Sequence, residues 1–132
     1  MTAVSRPRDG VFQAACSSGD AVGSAVHLVV GVSPRTVSTA DPSDIAKMPA
    51  VGVVISKSSP TNCVVRWRGE SEPVYLGLST GKPYWVGDDG LPSYSPPTGP
   101  PGSVRFAQFL GYSTESTKLL LNVTPTVVGF SR

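Results

Sequence analysis

Glycine and proline occupy 27 of the 132 positions, 14 and 13 respectively, and only residues 112–124 run for more than ten positions without either. An interior glycine costs a helix about 1 kcal/mol and an interior proline about 3, so long helices have nowhere to form. Even the 112–124 window argues against one. Its leucines, Leu119, Leu120 and Leu121, are adjacent rather than spaced at i, i+3, i+4, which predicts a turn followed by a strand.

Elsewhere the apolar residues come in short valine-rich blocks: 25–30, 51–55, 63–67, 74–76 and 84–86. Blocks of β-branched and aromatic residues bounded by Gly, Pro, Ser and Asn are strand signals. The expectation is an all-β chain of eight to ten short strands, folded as a small antiparallel β-barrel or β-sandwich. One short helix is expected, at residues 42–47 or 103–109. Residues 57–62 and 113–117 read as hairpin loops, and Asp88-Asp89-Gly90 as a tight turn in which glycine takes a positive φ. Residues 92–102 hold five prolines. Proline has no N–H to donate, so this stretch reads as an extended surface loop of polyproline character.

A repeat runs through the blocks. Gly23-Ser-Ala-Val-His-Leu, Met48-Pro-Ala-Val-Gly and Cys63-Val-Val-Arg-Trp find counterparts in Gly81-Lys-Pro-Tyr-Trp-Val, Gln108-Phe-Leu-Gly and Lys118-Leu-Leu-Leu-Asn. The two segments from Gly23 to Gly52 and from Gly81 to Gly111 have nearly equal lengths. Two related β modules, at residues 11–70 and 71–132 after an arm at 1–10, would produce this. So would strand–turn–strand grammar recurring by chance, and the whole could still form one compact domain.

Composition narrows the function. A formal net charge of +2 is too small for the basic patch that nucleic-acid binding needs. No run of about 18 apolar residues is present to span a membrane. The first ten residues lack a cationic-then-apolar leader, so export by that route is not expected, and the Asn122-Val-Thr124 sequon then carries no weight. Two cysteines, Cys16 and Cys63, and one histidine, His27, are too few for a zinc site. The two thiols are expected buried or half-buried in a reducing compartment. No cofactor is expected.

Few chemical constellations remain. No serine sits in G-x-S-x-G, and no Gly-rich loop precedes Lys-Ser/Thr. Cys63 with His27 is the one nucleophile–base pairing that the residue types allow, but Cys63 opens an apolar strand and is expected buried. Glu70 and Glu72 share a face if extended, yet Pro73 follows, which favours a linker. Asp88 and Asp89 lack the further oxygen ligands of a calcium loop. Arg66 and Arg68 would share one strand face opposite Trp67, a cationic patch suited to docking on an acidic protein rim. Trp67 and Trp85, placed on strands, are expected in the core, which weakens a carbohydrate platform built on Trp67, Tyr84, Trp85 and Tyr94.

Residues 19–28 (Gly-Asp-Ala-Val-Gly-Ser-Ala-Val-His-Leu), 37–41, 46–54 (Ala-Lys-Met-Pro-Ala-Val-Gly-Val-Val) and 64–70, followed by Gly81-Lys-Pro-Tyr-Trp-Val-Gly-Asp-Asp-Gly90, Gln108-Phe-Leu-Gly111 and Leu119-Leu-Leu-Asn122, resemble small virion proteins of tailed bacteriophages. They look like capsid decoration (cement) proteins and the related β modules of head fibres, tail fibres and spikes. The resemblance covers roughly residues 19–124 and rests on turn glycines and strand valines. It implies a compact barrel or tulip-like sandwich, assembled as a homotrimer on a major capsid protein, made in the host cytoplasm and carried on the virion surface without catalysis. In that setting Arg6 and Arg8 of the arm, Arg66 and Arg68, and Tyr94, Pro96 and Pro97 of the proline-rich segment are the expected contact residues. Head-fibre, neck or tail-fibre attachment is the nearest alternative. A carbohydrate-binding module and a Cys63–His27 hydrolase are the alternatives from other classes.

Overall fold

The computed structural model describes residues 10–94, 104–124 and 126–131. The chain is all-β, as expected, with twelve strands among these residues rather than eight to ten. The first sheet takes β1 (Val11–Ala15), β2 (Ala25–Leu28), β3 (Val37–Thr39), β4 (Ala50–Ser59) and β5 (Asn62–Arg66). The second takes β6 (Arg68–Glu70), β7 (Pro83–Val86), β8 (Pro92–Ser93), β10 (Phe109–Glu115) and β11 (Lys118–Asn122). A two-stranded sheet pairs β9 (Val104–Ala107) with β12 (Val128–Ser131). All ladders are antiparallel. The only helical segments described are 3₁₀ turns, including Ile45–Lys47, where a helix was expected, and Asp88–Gly90. Residues 104–107 at the other expected helix form β9 instead.

The two five-stranded sheets have the same topology. Their spatial orders are β1-β5-β4-β2-β3 and β6-β11-β10-β7-β8, so in each the strands lie first, last, next-to-last, second, third along the sheet. The correspondence extends to single residues. Val26 pairs with Gly52 and His27 with Ala50, one residue of β4 being skipped; Tyr84 pairs with Gly111 and Trp85 with Phe109, with the same skip in β10. These are the same β-bulge at the same place. Gly23 donates its N–H to Val54 O at 2.7 Å, and Gly81 donates to Ser113 O at 2.7 Å. Both glycines sit at positive φ, 97° and 84°, which a turn here requires.

Gly52 and Gly111 show why the repeat is written in glycines. A Cβ on Gly52 would lie 2.5 Å from Val65 Cγ1 and 2.8 Å from Arg66 O, and one on Gly111 would collide with the carbonyl oxygen of Leu120. The neighbouring strand passes too close to the bulge for any side chain.

The sheets pack as a sandwich with one shared core. Ala25, Ala50, Val53 and Ile55 from one face of the first sheet form a single buried cluster with Tyr84, Val86, Leu110, Leu119 and Leu121 of the second. The other face of the first sheet encloses a smaller cluster of Ala14, Cys16, Val26, Val37, Val54, Cys63 and Val65. That sheet curls until its edges touch at one parallel bridge, Ala15 with Thr36. A single bridge is not a ladder, so the barrel expected as one option does not close. Two backbone links tie the sheets together. Trp67 N–H donates to Gly10 O at 2.8 Å while Trp67 O accepts from Val123 N–H at 2.9 Å. Gln108, 1% exposed, accepts from Ala50 N–H at 2.7 Å and donates to Ala50 O at 2.8 Å and Thr124 O at 2.7 Å.

Residues 74–76, expected as a strand, are not one. They run beside the β10–β11 turn, with Tyr75 N–H donating to Thr117 O at 3.1 Å. Tyr75 is buried and Leu76 is 91% exposed, so the alternation was real but paired with a turn rather than a strand.

Gly111→Ala is expected to lower stability by at least about 2 kcal/mol through overpacking. Gln108→Leu should cost about 2–4 kcal/mol by stranding two buried backbone groups. Urea unfolding of each variant checks both, and a cost near zero for either would refute the corresponding contact.

Candidate functional site

Of the expected contact residues, Arg66, Arg68 and Tyr94 are among those described. Arg6, Arg8, Pro96 and Pro97 lie outside the described residues. The face expected from Arg66 and Arg68 is rearranged, because the strand is not continuous: β5 ends at Arg66, β6 begins at Arg68, and Gly69 adopts φ 98°. The Arg68 guanidinium lies over the Trp67 ring at 5.3 Å, on the side of the indole rather than opposite it. Arg66 is turned inward, donating to Arg68 O at 3.2 Å and pairing with Glu72 at 3.6 Å. Glu70, expected in a linker, belongs to β6, accepts from Thr114 Oγ1 at 2.7 Å and pairs with Lys118 at 3.8 Å.

The Cys63–His27 pairing fails on geometry. His27 shares a face of β2 with Ala25, toward the shared core, whereas Cys63 points into the smaller cluster on the opposite face of the same sheet. β4 also lies between their strands. Cys63 is 2% exposed, and burial, together with the neighbouring Cys16 thiol, pushes its pKa up to about 12. A thiol held protonated is a poor nucleophile. Both cysteines are free. Among the described residues no three His, Cys, Asp or Glu side chains gather as metal ligands. A cleft of about 410 Å³ lies along β1 and β5, lined by residues including Gln13, Arg35, Ser58 and Asn62, and among the described residues no carboxylate lines it.

The best-organised polar group is Asp20, 3% exposed. Its carboxylate accepts from Ser17 N–H at 2.8 Å, Ser17 Oγ at 3.1 Å, Thr39 N–H at 3.0 Å and Thr39 Oγ1 at 2.8 Å. Burial by itself would raise the pKa, but these four hydrogen bonds to the charged form outweigh it and hold the carboxyl below its ordinary value. The Lys57 ammonium donates to Ser17 O and Asp20 O, both at 2.9 Å. Asp20 therefore fastens the β1–β2 loop to β3 and β4. It is a structural anchor, and nothing in its position in the sequence distinguished it from the other acids.

The aromatic residues are sorted differently from expectation. Tyr84 is buried and accepts from Ser79 N–H through its hydroxyl at 2.7 Å. Tyr94 is exposed, its ring 6.2 Å from that of Tyr84. Trp67 packs against the shared core. Trp85 does not enter the core. It stands half-buried on the outer face of the second sheet, edge-on to Phe109 at 5.6 Å, and Phe109 in turn meets Tyr112 at 5.1 Å. Tyr112 is 52% exposed and pairs across strands with Leu120, 48% exposed. The strand alternation that buries Tyr84 dictates that Trp85 faces out. Comparison with known protein families, curated proteins and solved structures finds no match to this chain.

Asp20 sets a pH signature. Its folded pKa is depressed, so its contribution is present above the unfolded value of about 3.9 and lost as pH falls through the folded value. Asp41, lowered by hydrogen bonds from Ser43, acts in the same direction. Asp20→Asn is expected to cost about 2 kcal/mol at pH 7 and to lose less stability than wild type between pH 5 and 2. Denaturation across that range decides it, and parallel curves would remove Asp20 from its anchoring role.

Proposed function

We propose that this chain is a non-enzymatic virion structural protein that binds the outer surface of a tailed-bacteriophage capsid and stabilises or decorates it. The reading is carried by the repeated turn-glycine and strand pattern that resembles capsid decoration and fibre modules. The same strand order, bulge and positive-φ glycines recurring in both sheets support it, since they are what such a pattern would encode. The separation of His27 from Cys63 removes the one nucleophile–base pairing the residues offered.

On this reading the partners are the major capsid protein and further copies of the chain, assembled as a homotrimer, with neither nucleic acid nor membrane involved. Cementing then works by mass action: a chain that binds the assembled shell and not its dissociated subunits shifts the equilibrium toward the shell. A head-fibre, neck or tail-fibre component is the second reading, drawn from the same resemblance. A carbohydrate platform on Trp67, Tyr84, Trp85 and Tyr94 is disfavoured by where these rings lie: Trp67 packs against the shared core, Tyr84 is buried, and the Tyr84 and Tyr94 rings are tilted by 40° to each other.

Copy number in purified particles, measured by quantitative mass spectrometry, tests the proposal. On the order of hundreds of copies per particle is the expected result for decoration. A few to a few dozen would assign the chain to neck or fibre, and absence from particles would overturn the virion reading.

A further inference from the structure

The repeat allows the two sheets to be compared face by face. Aligned on the shared bulge, Ala25, Ala50 and Val53 of the first sheet correspond to Pro83, Phe109 and Tyr112 of the second. In the first sheet these positions are at most 1% exposed, covered by the second sheet of the same chain. In the second sheet the equivalent face has no cover among the described residues. Its side chains are also larger and aromatic, with Trp85 and Leu120 extending the patch beside them. Small residues suit a face against which bulky leucines and tyrosines are already packed. Bulky, rigid aromatics left half in water are the composition of a contact surface.

We infer that this outer aromatic face of the second sheet is where copies of this chain meet one another. It names the surface for the self-association proposed above and rests on that reading. Two observations favour a second copy as the occupant. The rim carries both signs of charge, with Glu70, Glu115 and Lys118 joined in ion pairs at 3.8 Å and 3.7 Å. Such a mixed edge can be matched by its own copy, whereas a strongly acidic or basic partner would find no complement. The herringbone of Trp85, Phe109 and Tyr112 presents edges and faces together, which suits interdigitation with similar rings.

Sedimentation velocity of the full chain from low to high micromolar concentration tests the inference, with Tyr112→Glu and Leu120→Glu as variants. Both residues are about half exposed, so each variant should keep the wild-type circular dichroism and unfolding midpoint. The expected result is concentration-dependent association of the wild type, weakened roughly 30-fold or more in either variant, as for a central contact residue. Acrylamide quenching of Trp85 should fall as the wild type associates and stay high in the variants. A wild type that remains monomeric throughout overturns the inference, as does association that persists in both folded variants. Variants that lose binding to purified particles while the wild type is monomeric would assign the face to the capsid instead, which also overturns it. Copy number per particle is measured independently, so failure here leaves the virion reading standing and failure there leaves the oligomer result intact.

Discussion

The structure depends on one burial: small residues of the first sheet against large residues of the second. Ala25, Ala50 and Val53 cannot build a core alone, because three such side chains remove little apolar area from water. Tyr84, Leu110, Leu119 and Leu121 supply the bulk, and they in turn have no other surface to bury against. Each of these two faces is therefore uncovered without its counterpart, although both sheets are drawn from the same strand plan. Trp67, bonded to Gly10 on one side and Val123 on the other, fixes where the chain crosses between them. Gln108, clasping both backbone groups of Ala50, fixes the register of the sheets across the crossing.

That dependence explains how a repeated plan yields two unlike surfaces. In a symmetric pair the same face of each copy would be covered, but here the outer face of the first sheet meets the inner face of the second. The arrangement is head-to-tail, and among the described residues one face at the end of the stack is left over. At that face Phe109 and Tyr112 stand where the first sheet carries Ala50 and Val53.

Much of this was legible in the residues. Gly and Pro density excluded long helices, valine-rich blocks marked four of the twelve described strands (β2, β4, β5 and β7), and the spacing of Gly23, Gly52, Gly81 and Gly111 pointed to the repeat because those positions admit no Cβ or demand positive φ. What escaped was whatever depends on long-range packing. The Val74–Leu76 block alternates like a strand but lies against a turn. Trp85, placed on a strand, reads as a core residue, whereas Tyr84 beside it takes the core and alternation sends Trp85 out. A single glutamine in an apolar block gives no local sign that it bridges two sheets, and Asp20 looks like any loop acid until Thr39 is brought beside it. Arg66 and Arg68 looked like one charged face because nothing local announces that the strand breaks between them.

The central claim is that the two sheets form one cooperative unit through their shared core. Native-state hydrogen exchange in low denaturant tests it most directly, by comparing the amides of Val54 and Ser113, which occupy equivalent places in the two sheets and donate to Ser24 O and Lys82 O, both at 3.0 Å. The account predicts that both exchange only through global unfolding, with the same opening free energy and the same denaturant dependence. If one sheet opened at a markedly lower free energy while the other stayed protected, the sheets would be independent units and the shared core would not be what holds the fold.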